Sequence, residues 1–433
     1  MPKITIHRGA RTIGGSCIEI QSGNRRILFD LGMPLMETDG AEINPGKAAS
    51  PSIENVILPD VPGLYSNQEP GVDAIFISHA HPDHYGLLNY VHPSIPVYMS
   101  PGTNALIDIG NVFYAQKTNI QNRRVFQQWE PISLGPFVIT PHLMDHSGPD
   151  ASGFLIEVED KRIFYSGDFR GHGRKGKLLG LMEKQGLSEL DCLLMEGTTL
   201  GGMHDAGFPT EADVEKAMQE IFSNQKDVTF VMASGSNLDR IVSIYKAARR
   251  SEKTLVIDLY TCHLLNELKK IWPSLPPHGG DNLRVLYAKG HADRLVESCG
   301  REMLYKYSGR QIKEDEILKN REQMILRIPL NRMDRIARIM AEEKPLAQAS
   351  FIFSMWTGYL QKDRSFADFY KVHNMKPELI HTSGHAYLED LKRLVDIFKP
   401  KTLIPVHTLH GDSFGDHFDN VLRLEDGQPY KLS

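Results

Sequence analysis

Through the first 200 residues the apolar positions come in short runs broken by Gly and Asp turns. They read "ITIHRG", "SCIEIQ", "RILFD", "AIFIS", "VYMS", "FVITPH", "GFLIEVE", "RIFYSG" and "CLLMEG". Runs of this length and of this Ile, Val and Phe content predict strands. Near Gly201 the pattern changes. "TEADVEKAMQEIF" predicts an amphipathic helix with Thr210 and Asp213 at capping-box spacing. "VTFVMAS", "NLDRIVSIYKAA", "TLVIDLY" and "CHLLNELKKIW" then alternate strand with helix, a rhythm that continues to "FIFSMW" at 351–356. Such βα alternation predicts a parallel sheet with covering helices. After about residue 370 the pattern returns to strand, His-rich loop, helix and strand in "ELIHTSGHAYLEDLKRLVDIF" and "TLIPVH". Residues 205–365 therefore read as a domain inserted into another formed by 1–204 and 366–433. Two consecutive domains are the alternative, disfavoured because the late histidines complete the early polar cluster. The Pro/Gly/Asn-rich connection from Gly32 to Gly71 has the length of a lid or a disordered loop.

Composition narrows the class. A chain of 433 residues with 41% hydrophobic and 24% charged residues is an ordinary globular protein of two or three domains. No apolar run reaches membrane-spanning length, and the polar start "MPKITIHRGARTIGG" lacks a signal-peptide core, so the expectation is a cytoplasmic protein without a membrane partner. Cys17, Cys192, Cys262 and Cys299 are scattered, which indicates neither a disulfide framework nor a zinc ribbon. A net charge of −5 argues against a non-specific coat for duplex DNA. The basic clusters at Arg123 and Arg124, at 170–177 and at 248–253 read first as solvated faces.

The chemistry concentrates in "FISHAHPDHYGLL". His79, His81, Asp83 and His84 follow a buried strand on a turn punctuated by Pro82 and Gly86. A tight turn aims His79 and His81 at one point and swings Asp83 and His84 toward a second. Imidazole and carboxylate are donors favoured by zinc and manganese. Further acidic or imidazole residues recur at strand ends: His146, Asp168, Glu196, His385 and His407. Each alone has a bland reading as a polar core or surface residue; together one metal site collects them. His142 and His172 are rivals nearby, and His142, within a strand run, reads as structural.

These residues carry a resemblance. The ordered set His79, His81, Asp83, His84, His146 and Asp168, with Asp30 in "ILFDLG", resembles the metallo-β-lactamase fold and its dinuclear zinc site. Glu196, His385 in "SGHA" and His407 in "IPVHT" resemble the further motifs of the β-CASP nucleases, whose extra domain is inserted in this way. "HSGPDASGF", "SGDF" and "SNLDR" are most similar to the shorter RNase J-type ribonucleases. The implied fold is α/β, an αββα metallo-β-lactamase sandwich with an inserted α/β β-CASP domain. The "TLHGDSF" after His407, where the family often has Gly-Glu, is a departure.

The resemblance implies that His79, His81 and His146 hold one divalent ion and that Asp83, His84 and His407 hold another. Asp168 would bridge them. The ions are expected to be zinc, with manganese as the alternative. It also implies that Asp83 orients the attacking water, His385 is the general acid and Glu196 orients that histidine. Ser383 and Gly384, before the helix that follows "SGH", are candidate phosphate contacts. So are Ser234, Ser236 and Asn237 in "ASGSNLDR", where a plain N-cap is the equal alternative. The expected substrate is single-stranded RNA. Alternatives are a DNA-directed nuclease, a small-molecule hydrolase of the same fold and a non-catalytic scaffold. Endonucleolytic or 5′-exonucleolytic action and oligomeric state are left open.

Overall fold

A computed structural model describes residues 1–36, 43, 45–201, 207–276 and 282–433. The expected boundary at 204/205 and part of the Gly32–Gly71 connection, residues 37–42 and 44, lie outside them. The chain divides into two compact units. One comprises Met1–Ile107, Lys117–His204 and Gly384–Ser433; the other comprises Asp108–Gln116 and Asp205–Ser383. The second unit thus keeps residues 366–383, which the sequence pattern assigns to the return of the first. Their helix Arg364–Val372 and strand Pro377–Leu379 continue the βα rhythm, and the strand adds to the second unit's sheet.

In chain order the first unit begins with β1 (Lys3–Arg8), β2 (Cys17–Ser22), β3 (Arg25–Phe29), β4 (Ala74–Phe76), β5 (Val97–Met99) and β6 (Arg123–Val125). It continues with β7 (Ile132–Leu134), β8 (Phe137–Leu143), β9 (Ser152–Val158), β10 (Lys161–Tyr165) and β11 (Cys192–Glu196). The second unit contributes β12 (Thr229–Met232), β13 (Thr254–Asp258), β14 (Leu283–Leu286), β15 (Gln311–Ile312), β16 (Met324–Arg327), β17 (Ser350–Phe353) and β18 (Pro377–Leu379). The chain then returns to the first unit with β19 (Thr402–Val406) and β20 (Pro429–Lys431).

Two sheets build the first unit, in the orders β20-β1-β2-β3-β4-β5-β6 and β19-β11-β10-β9-β8-β7. Each sheet is covered on both faces, so its central strands read as near-continuous apolar runs, as in the Ile27–Phe29 part of β3 and in β11. In β3, Ile27 and Phe29 enter the core shared with Phe154, Ile156 and Tyr165 of the opposite sheet, while Leu28 faces outward. Outside the first sheet, Leu28, Ile75 and Val97 pack under Ile57, Leu64 and Ile107. Outside the second, Phe164, Leu193 and Leu403 pack under Leu179 and Met182 of the helix Leu178–Lys184 and Leu391, Leu394 and Phe398 of the helix Leu388–Phe398. The result is the αββα sandwich expected. Part of the Gly32–Gly71 connection is thereby core rather than lid, since Ile57, Leu58, Val61, Leu64 and Tyr65 are buried.

The second unit is a sheet in the order β15-β14-β13-β16-β12-β17-β18, with every pairing parallel. Its helices include Glu211–Ser223, capped by Thr210, and Leu238–Arg250, capped by Asn237. No helix among the described residues is long and apolar enough to cross a membrane.

Candidate metal centre

Strand register brings the site together. β10, β11 and β19 run parallel, with Tyr165 opposite Leu194 and Glu196 opposite Val406. Asp168, Glu196 and His407 therefore sit at or just past adjoining carboxyl ends. In the other sheet Phe29 lies opposite Phe76, which places Asp30 beside Ser78 and His79. His81 then caps a one-turn helix, Pro82–Tyr85, whose rigid Pro start fixes Asp83 and His84. That turn is held by backbone bonds from Ser16, Leu31 and Met33. Only Gly fits at position 32, because a Cβ there would lie 1.6 Å from the Asp83 carbonyl oxygen.

Two ligand groups share one carboxylate. His79, His81, His146 and Asp168 form the first; Asp83, His84, Asp168 and His407 form the second. In the first, the rings of His79 and His146 lie 4.6 Å apart, and His146 Nε2 comes within 3.2 Å of His81 Nδ1. In the second, His84 Nε2 is 3.1 Å from Asp168 Oδ2, and His407 Nε2 is 3.3 Å from Asp83 Oδ2. His79 Nε2, His84 Nε2 and both Asp168 oxygens are buried without a hydrogen-bond partner of good geometry. Buried polar atoms are costly when unsatisfied. Four such atoms converging, from two imidazoles and a carboxylate, fit a divalent metal ion.

Supporting residues fix the tautomers. Asp30, at φ 61°, accepts from Ser78 N (2.7 Å), Ser78 Oγ (2.8 Å) and Tyr165 OH (2.7 Å), and binds His84 Nδ1 at 2.8 Å. His146 Nδ1 donates to the Gly384 carbonyl at 2.7 Å, and Thr198 Oγ1 lies 2.8 Å from His407 Nδ1. The basic stretch 170–177 also serves this site in part. Arg170 is fully buried beside Asp145, and Lys175 Nζ donates to the His146 carbonyl.

Electrostatics separate the histidines. Burial, reinforced by the neighbouring imidazoles, holds His79 and His146 well below the ordinary range. Burial also lowers His81. At His84 burial is outweighed by Asp168, Asp30 and Asp83, which hold it well above that range. Asp83 is pulled down to about 2, the effect of burial being overcome by His84 and His407.

A third group, Asp168, Glu196, His385 and His407, adjoins these. His385 Nδ1 is 3.3 Å from each Glu196 oxygen and 3.6 Å from Asp168 Oδ2. Burial opposes protonation of His385, yet Glu196 and Asp168 raise it to about 9. Glu196 is itself buried and accepts from Phe169 N and Thr198 N.

Other candidates fall elsewhere. The helix after "SGH" begins at Leu388, not at Ser383 and Gly384. The Ala386 carbonyl is taken by Thr199, and Ala386 N–H points at Glu196, so this segment stays outside the helix. Ser383 and Gly384 thus lack helix N–H groups of their own, and the Gly384 carbonyl orients His146 instead. Ser234, Ser236 and Asn237 lie in the second unit, where Asn237 Oδ1 accepts from Arg240 N at 3.0 Å as an N-cap. His142 stays within β8, packed near Phe164, and His172 pairs with Asp390 at 2.7 Å. Thr198, Tyr165 and the Gly384 carbonyl escaped the sequence pattern. "EGTT" directly after a strand end was the available signal for Thr198.

Two protein families match the chain: "Beta-lactamase superfamily domain" over residues 43–226 and "Zn-dependent metallo-hydrolase RNA specificity domain" over 373–418. The first match spans His79 to Glu196 and the second spans His385 and His407. Curated proteins named Ribonuclease J are similar. That of Sinorhizobium meliloti is 26% identical over 47% of this chain and 36% of its own length. That of Helicobacter pylori (strain 26695) is 24% identical over 99% of this chain and 60% of its own. That of Mycoplasma genitalium is 22% identical over 94% and 67%. The chain thus spans less than two thirds of the first two. A solved Enterococcus faecalis V583 structure, titled a protein of unknown function, matches with a TM-score of 0.77 and 22% identity over 99% of both chains. The chain thus has the metallo-β-lactamase fold, carries matches to a metallo-hydrolase domain and to an RNA specificity domain, and is similar over most of its length to proteins named Ribonuclease J.

Proposed function

We propose that this protein is a metal-dependent ribonuclease that hydrolyses phosphodiester bonds of single-stranded RNA. The observation that carries the reading is Asp168, shared by two ligand groups and set beside the Glu196–His385 pair. His79, His81 and His146 would hold one ion and Asp83, His84 and His407 the other, with Asp168 between them. Zinc is the first choice and manganese the second. Divalent ions held there supply Lewis acidity and a water that ionises near neutral pH.

The chain's own groups do the rest. Asp83 is placed to orient the attacking water. Cleavage leaves an alkoxide that needs a proton, and His385 supplies it. With Nδ1 against Glu196, the transferable proton is the one on Nε2. Glu196 fixes the ring and favours its charged form. The similarity to proteins named Ribonuclease J and the matched "RNA specificity domain" favour RNA over DNA or a small ester.

The test is a substrate panel. Protein reconstituted with zinc or manganese is incubated with 5′-phosphorylated and 5′-triphosphorylated RNA, single- and double-stranded DNA, a lactone and a glutathione thioester. Cleavage of RNA in preference to the rest is expected. Turnover of DNA alone, or of the small esters alone, overturns the reading.

A further inference from the structure

We infer that the carboxyl edge of the second unit's sheet is a track for single-stranded polynucleotide, with aromatic base-stacking stations at Tyr114/Tyr260 and Trp356/Tyr359. The inference rests on the ribonuclease reading and names a substrate-contacting surface for it.

In a parallel sheet the loops at the carboxyl strand ends form the ligand crevice. Four neighbouring strands, β13-β16-β12-β17, place four features side by side there. Just past β13, Tyr260 packs against Tyr114, with ring centres 5.8 Å apart and hydroxyls hydrogen-bonded at 3.0 Å. At the end of β16, Arg327 is fixed by the Ala233 carbonyl and Thr261. After β12, the turn Ser234–Ser236 leads into the N-terminus of the helix Leu238–Arg250. Just past β17, the rings of Trp356 and Tyr359 meet edge to face at 5.6 Å, with Lys362 Nζ over Trp356 at 5.6 Å.

The features are contiguous. A Cβ on Gly235 would lie 2.8 Å from Tyr260 and 2.9 Å from Arg327, so the central turn touches the first aromatic station. Ser354 N donates to the Met232 carbonyl at 2.8 Å, tying the loop that leads to Trp356 to the strand before the turn. With strands about 4.8 Å apart, three steps separate the stations by about 14 Å.

Three of the four aromatic residues do not fill the core. Trp356, Tyr359 and Tyr114 are absent from the buried cluster that Met355, Leu360 and Phe366 pack against, whereas Tyr260 is the packed member of its station, edge-on to the buried Phe113 at 5.4 Å, and backs the exposed ring of Tyr114. Tyr114 is 51% exposed and Tyr359 is 47% exposed. Aromatic faces interleaved with cations and N–H groups are the chemistry that binds unpaired bases and their phosphates. A duplex, whose bases are already stacked, has no use for such stations.

The test uses the full chain, stripped of metal by chelation so that nothing is cleaved, and a fluorescein-labelled uridine dodecamer read by anisotropy. Trp356→Ala and Tyr114→Ala should each weaken binding about tenfold to a hundredfold. Trp356→Phe should keep most of the affinity yet lose the oligomer-induced quench of tryptophan fluorescence. Circular dichroism melts check that each variant is folded. If the parent binds the oligomer and both folded Ala variants bind equally well, the track is wrong and the ribonuclease reading stands. If the parent binds no RNA or DNA oligomer at all, both fall.

Discussion

Asp30 touches no substrate in this account, yet replacing it with Asn should cost the centre much of its metal affinity. The φ of 61° at Asp30 is a conformation Asn tolerates, so the backbone is not the point of failure. The hydrogen bonds are. Oδ2 faces Ser78 Oγ, Tyr165 OH and His84 Nδ1, while Oδ1 faces Ser78 N–H at 2.7 Å. An amide has one acceptor oxygen for these two sides. With its nitrogen on the Ser78 N–H side, donor meets donor and the His84 contact loses its charge. With its nitrogen on the other side, His84 Nδ1 must accept, and the ring proton moves to Nε2, the atom turned to the metal. Loss of such a second partner typically lowers metal affinity 10–100-fold, or about 1.4–2.8 kcal/mol. The fold should lose about 1–3 kcal/mol from the unsatisfied donor. Zinc affinity is read by chelator competition, and stability by urea unfolding of the metal-free protein. A folded Asp30→Asn variant with parental zinc affinity would refute the role given to Asp30.

His385→Ala should keep its metal content and slow RNA cleavage about 10²–10⁴-fold. A substrate with sulfur as the leaving atom should rescue it, and equal rescue of His407→Ala would show that the two histidines are misassigned. His407→Ala should instead lose metal, as read by elemental analysis. Glu19 is held down to about 2: burial opposes this, but His7 and Arg26 outweigh it. Its contribution is therefore present above the ordinary Glu range and is lost as pH falls through about 4.5 toward about 2. Glu19→Gln should cost about 2–3 kcal/mol at pH 7 and converge on the parent near pH 2; a constant gap in urea unfolding across that range would count against it.

What was legible in the sequence was local. His79, His81, Asp83 and His84 lie on one turn, so spacing alone grouped them. Continuous apolar runs such as "ILF" announced a strand buried on both faces, as β3 is, while the sandwich itself came from the family resemblance. His407 and Glu196 could be paired only through family resemblance, since the register that aligns them joins residues 210 positions apart. Thr198, Tyr165 and the Gly384 carbonyl act by tertiary contact, which no periodicity records. The helix start near Ser383 was placed too early because Glu196 and Thr199 claim the backbone of Ala386. The second unit's reach to Ser383 was hidden because β18 is only three residues long.

The most direct test of the central claim is a metal titration of cleavage. Protein stripped by chelation is titrated with zinc or manganese while bound metal is counted and a 5′-phosphorylated RNA is followed on a gel. The account predicts no cleavage without metal, full cleavage as bound metal approaches two per chain, and neither binding nor cleavage in Asp168→Ala. Cleavage at the parent rate by metal-free protein, or by Asp168→Ala, would contradict it.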